Sequence, residues 1–188
     1  MALDRAIAAA LLMELALAHR IDTDTEALSL MSAEPIGDAL ADRVLADIVA
    51  APARLPSAAW VQRLSTQGQA WRESLIARLV ERGILRQVEQ RLLWVFRQRA
   101  YPPADGEPER EVRTRILALL HSDDIPEPRD ALLVGLLQAG GLFNEVMTHD
   151  ALQTLRPRIV AIADLEEMSR SLRHTVEGLQ RAVSVSPP

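Results

Sequence analysis

The fold turns on residues Gln69–Tyr101, QAWRESLIARLVERGILRQVEQRLLWVFRQRAY. At 3.6 residues per turn, Trp71, Leu75, Ile76, Leu79 and Val80 fall on one wide apolar face, which calls for burial against other helices. Glu73, Ser74, Ala77, Arg78 and Glu81 fall on the water-facing side. Gly83 stops the helix, and a basic, apolar β-hairpin is expected over about 84–101, with its turn near Gln87–Gln90.

Arg72 breaks the helical pattern, because the wheel places it between Ile76 and Leu79 inside the apolar face. Two physical solutions stand side by side. Near a helix start the unpaired backbone N–H groups and the dipole favour an anion, so Arg72, helped by Gln69, is a candidate phosphate ligand. Alternatively Arg72 has a carboxylate partner, or lays its methylenes on apolar surface with the guanidinium in water.

The hairpin carries four arginines, 86, 91, 97 and 99, against the single acid Glu89. Between them lies the apolar run Leu92, Leu93, Trp94, Val95, Phe96. Basic flanks around apolar and aromatic residues suit an anionic membrane surface, with Leu93, Trp94 and Phe96 inserting and Arg91, Arg97 and Arg99 meeting headgroups. The same run also suits a strand buried on both sides or a contact between subunits.

Working outward, 188 residues with 48% apolar content make one well-buried domain the expectation, spanning 1–188. The formal charge of −5 is unevenly placed: residues 1–60 hold four arginines against nine acids, and the remainder balances. That split disfavours nucleic acid as a partner, since binding it needs a basic footprint. There is no lysine, so no lysine base or Schiff-base former, and no cysteine, so no disulfide, thiolate metal site or cysteine nucleophile. The stretch Ala6–Ala18, AIAAALLMELALA, falls short of the ~20 residues that span a bilayer and reads as a buried helix. Arg5 and Ala16-Leu17-Ala18 give it a slight likeness to a signal peptide, which Asp4 opposes.

In order, helix 1 is expected over Leu3–His19, followed by a turn, a short strand near Leu28–Ser32 and a Pro-Ile-Gly turn. Asp38 caps the next helix, which ends near Ala51; Ser57 caps a short one carrying Trp60, Val61 and Leu64. Beyond the hairpin, helices are expected to His121, over Arg129–Ala139, briefly around Phe143–Met147, over Asp150–Ala163 with Pro157 kinking or restarting it, and over Leu165–Val183. The tail 184–188 reads as frayed. The class is mostly α: a single-domain helical bundle with a protruding β-hairpin.

Catalytic patterns are missing: no HExxH, GxSxG, Walker A or GxGxxG occurs. His19, His121, His149 and His174 lack ligand spacing and read as surface or helix-end residues, and Asp22, Asp24 and Glu26 read as turn and cap residues. No cofactor, metal site or enzymatic activity is expected.

Four pieces occur in a consistent order: ALLMELALAHRI (10–21), LVERGIL (79–85), Tyr101-Pro102 before an acidic loop, and PEPRDALLVGLLQAGGL (126–142). Together they resemble the Golgi phosphoprotein 3 family, including its bacterial members, over about Ala6–Ile162. The resemblance implies a mostly helical domain with a protruding hairpin, acting without catalysis as a peripheral membrane protein on the cytoplasmic side. Eukaryotic relatives bind phosphatidylinositol 4-phosphate and act as adaptors for the tails of glycosyltransferases. The family's headgroup pocket uses two arginines three residues apart, which here are Gln69 and Arg72. Its arginine in the first helix falls on Ala8, its arginine-glycine-arginine after ELAL on Ala18-His19-Arg20, and its tryptophan before Met1. The implied partner is an anionic phospholipid surface, with a protein partner or a second copy also able to meet the hairpin. Two other readings remain: a winged-helix-like DNA-binding module, disfavoured by Glu73 and Glu81 on the would-be reading helix, and an oligomeric interaction scaffold without lipid binding.

Overall fold

The computed structural model describes residues 2–23, 27–92 and 96–163. Eight helices and two small antiparallel sheets make up these residues: α1 Ala2–Leu17, β1 Ile21–Thr23, β2 Leu28–Leu30, α2 Ala39–Val49, α3 Ser57–Ser65, α4 Gly68–Glu81, β3 Val88–Leu92, β4 Phe96–Ala100, α5 Glu107–His121, α6 Pro128–Ala139, α7 Phe143–Val146 and α8 His149–Ala163. The protein is a mostly α-helical bundle with small β-hairpins, as its periodicity and glycine and proline punctuation require. The expected helix over Leu165–Val183 and the frayed tail lie outside the described residues.

Helix α1 is the hub. Being apolar nearly all round, it must be covered on every side, and α2, α3, α4 and α6 pack on it. Ala8, Ala9, Leu12 and Leu15 are fully buried in a cluster that includes Val44, Trp60, Leu64 and Trp71. A second cluster joins Ile116 and Leu120 of α5, Val134 of α6, Phe143, and Leu155 and Ile159 of α8. Helix α6 serves both, with Leu132 in the first and Ala131 and Val134 in the second. That is why ALLVGLL carries no polar stripe.

The helix ends are set locally. Asp38 caps α2 through its side chain, accepting from the backbone N–H groups of Leu40 and Ala41. Helix α4 closes in a Schellman motif: Gly83 lies at φ 70° and donates to the Val80 carbonyl, and Ile84 donates to that of Leu79. Helix α1 closes the same way with His19 in the left-handed position, φ 55°, its N–H bonded to Ala16 and that of Arg20 to Leu15. In the resemblance drawn above, His19 falls where the family has glycine, which is the residue this backbone favours.

Several expectations need correcting. The hairpin does not turn at Gln87–Gln90: Val88 pairs with Ala100, Gln90 with Gln98 and Leu92 with Phe96, so the chain reverses between Leu92 and Phe96. The two ends of the apolar run, Leu92 and Phe96, therefore lie on different strands. The ladder is anchored at its base by Arg86 N–H to the Pro102 carbonyl and Ala104 N–H to that of Ile84, each 2.9 Å. A turn was expected after helix 1, yet Ile21–Thr23 forms β1 beside β2, because Ile21 and Leu28 are both drawn into the core. Ser57 is the first helical residue of α3 and is buried, Pro56 taking the cap position. Helix α8 runs through Pro157, so of the two expected effects, kinking or restarting, the proline does not restart the helix. His19, His121 and His149 all stand at helix ends.

The apolar face of α4 is only partly covered. Gly68 and Trp71 are buried, whereas Leu75, Ile76, Leu79 and Val80 stay half-exposed.

Candidate anion site and basic hairpin

The start of α4 rests on the start of α1. Gly68 is required there: a Cβ at this position would collide with the Asp4 carboxylate. Asp4 lies in the first turn of α1, where a negative charge complements the helix dipole. One turn after Gly68, the Nε of Arg72 lies 3.1 Å from Asp4 Oδ1 and 3.4 Å from the Gly68 carbonyl oxygen. The Asp4 side chain is 14% exposed and that of Arg72 46%. Arg72 thus takes up a carboxylate partner while its guanidinium still reaches water. Of the two solutions open to the sequence, the acid partner is present, and the Arg72 side chain as a whole stays about half-exposed.

Gln69 faces solvent and donates from Nε2 to Glu73 Oε1 at 2.9 Å, one turn along the same helix. Gln67 stands at the N-cap without a side-chain cap bond. A second cation reaches this end of the helix. The Arg43 guanidinium from α2 sits 4.7 Å above the Trp71 ring and donates to Gln67 Oε1 at 3.2 Å. Trp71 itself is fully buried and donates from Nε1 to the Leu64 carbonyl at 3.1 Å. Sequence reasoning passed over Arg43, whose only signal was its place among the apolar residues of α2. Ala8, the position corresponding to a further family arginine, is fully buried in the α1 core.

The hairpin holds the second basic feature. Its register sets Arg91 directly opposite Arg97 and Glu89 opposite Arg99. The outer position thus pairs residue types of opposite charge and the inner one residue types of like charge. Arg86 and Arg99 are exposed. Leu93 and Trp94 lie outside the described residues, and Phe96 is placed as the strand partner of Leu92. Along the axis of α4, Arg72 and the Gly83 stop are about 16 Å apart at 1.5 Å per residue.

No helix among the described residues is long and apolar enough to cross a membrane, and no group of three metal-ligating side chains occurs among them. A search among curated proteins finds none that matches. The family model described as Golgi phosphoprotein 3 (GPP34) matches residues 1–179. With nearly the whole chain covered, and with the helical bundle and basic hairpin in the order the sequence led one to expect, the protein belongs to the Golgi phosphoprotein 3 (GPP34) family.

Proposed function

We propose that this protein is a non-enzymatic peripheral membrane or adaptor protein that docks on anionic phospholipid headgroups at the cytoplasmic face of a membrane. The observation that carries the reading is the hairpin register. Arg91 and Arg97 stand opposite each other beside the reversal between Leu92 and Phe96, an arrangement that gains stability from an anionic surface. Leu93, Trp94 and Phe96 supply apolar contact, and Arg99 adds to the headgroup contact. Arg72, with Gln69 beside it, takes a phosphate through its guanidinium. Each basic residue close to such a surface contributes about 1 kcal/mol, so attachment through the hairpin is weak and salt-dependent. Membership of the family supports the membrane reading, and the replacement of family pocket arginines by Gln69 and Ala8 favours a simple anionic headgroup over phosphatidylinositol 4-phosphate.

Exposed Glu73 and Glu81 on α4 present the wrong sign to a DNA groove. The test is vesicle co-sedimentation with neutral vesicles, anionic vesicles, and vesicles containing phosphatidylinositol 4-phosphate. The expected result is binding to anionic vesicles that falls with salt, with Arg72→Ala and with the Arg91→Gln/Arg97→Gln pair. Absence of binding to every vesicle refutes the reading and favours a scaffold whose hairpin meets protein.

A further inference from the structure

A cleft of about 560 Å3 lies where α1, α2, α4 and the start of α6 converge. It accounts for part of the half-covered face of α4: Leu75 and Leu79, together with Ile7 and Leu11 of α1, form its apolar wall. Its charged lining comprises Arg78, Arg82 and Arg129 against Glu14 and Asp38.

The charges are unequally satisfied. Arg129 grips both carboxylate oxygens of Glu14, one of them at 2.7 Å. Arg78 meets Asp38 Oδ2 at 2.5 Å, but Asp38 also serves as the cap of α2 through Oδ1. Arg82 makes no ion pair among the described residues. Three guanidiniums and two carboxylates leave the lining with a net single positive charge beside an apolar wall. The volume falls within the roughly 300–1,000 Å3 typical of small-molecule sites. Arg82 lies nearly three turns along α4 from Arg72, so this cleft is separate from the Asp4–Arg72 end.

A bare anion would leave the leucine wall wet, and a bare hydrocarbon would leave Arg82 without a counter-charge. We propose that the cleft takes a single-chain anionic amphiphile, with its alkyl chain between α1 and α4 and its anionic head at Arg82 and Arg78. The site uses neither Arg72 nor the hairpin, and it recognises the chain as well as the charge.

Isothermal titration calorimetry on the full chain, without vesicles, tests this with decyl phosphate below its micellar concentration, neutral decyl maltoside and inorganic phosphate. Decyl phosphate is expected to bind saturably and about tenfold or more tighter than decyl maltoside, the difference expected for a charge-assisted contact, and inorganic phosphate to give no measurable heat. Arg82→Gln, on an exposed side chain, should erase most of that advantage without moving the melting temperature, and Leu79→Gln should weaken both amphiphiles. Equal affinity for the two amphiphiles, equal affinity for inorganic phosphate, no binding at all, or indifference to Arg82→Gln overturns the proposal. A dimer in sedimentation velocity that excludes decyl phosphate overturns it too, by giving the cleft to a second copy. Membrane docking is scored on vesicles through Arg72 and the hairpin arginines, so either reading can fail without the other.

Discussion

Asp4→Asn is expected to move stability and membrane affinity in opposite directions. Asp4 is a first-turn acid of α1 and lies 3.1 Å from the Arg72 guanidinium. Its neutralisation removes a helix-dipole contribution of about 0.3–1 kcal/mol and an ion pair worth about 0.5 kcal/mol after screening, because the Arg72 side chain is 46% exposed. The expected loss is therefore about 1 kcal/mol, or about 2–4 °C in melting temperature for a chain of this size. The same change frees Arg72 of its competing carboxylate. That competition is the same pair, worth about 0.5 kcal/mol, so affinity for anionic vesicles should rise about twofold. Co-sedimentation of wild type, Asp4→Asn, Arg72→Ala and the double variant reads both terms, with thermal melts alongside. The gain should vanish in the Arg72→Ala background. An Asp4→Asn protein that binds anionic vesicles no more tightly than wild type, or that gains equally without Arg72, refutes the assignment of Arg72 as an anion contact.

Three further expectations concern the frame that holds these groups. Asp38→Ala should cost about 1.5 kcal/mol, about 1 from the lost cap and the rest from the half-exposed pair with Arg78, whereas Asp38→Asn keeps the cap and loses less; denaturant melts separate them. Burial opposes the Asp38 charge, but the Arg78 hydrogen bond and the N–H groups of Ala41 and Leu40 outweigh it and hold the pKa below the usual carboxylate value. Its contribution is therefore full above the unfolded-state pKa and lost as pH falls below about 4, a loss Asp38→Asn should not show. His19→Gly should stabilise by about 1 kcal/mol, since φ 55° strains any side chain; an unchanged melting temperature would mean that the histidine makes a compensating contact. Trp71→Phe should cost about 2 kcal/mol, part from the volume left in the core and part from the unpaired Leu64 carbonyl, measured by urea unfolding.

How much of this was legible in the residues depends on the reach of each interaction. The Gly83 stop, the Asp38 cap and the Gly140-Gly141 break are made by bonds spanning a few residues, and a linear pattern records them. The apolar circumference of helix 1 likewise fixed it as the hub, and the order of the motifs pointed to the family. The reversal of the hairpin was misplaced because no turn dipeptide marks it, and strand pairing is chosen by the whole ladder. Partners distant in the chain left no such record. Arg78 finds Asp38 across 40 residues and Arg129 finds Glu14 across 115. Asp4 reaches Arg72, Arg43 covers Trp71, and the cleft exists because α1, α2, α4 and α6 meet at one place. The sequence by itself determined the described helices, most of their ends and the class of fold, because backbone hydrogen bonding and apolar periodicity act within a few turns. Only the tertiary structure decided which charges are satisfied and which apolar face stays open, because those depend on where separate helices come to rest against each other.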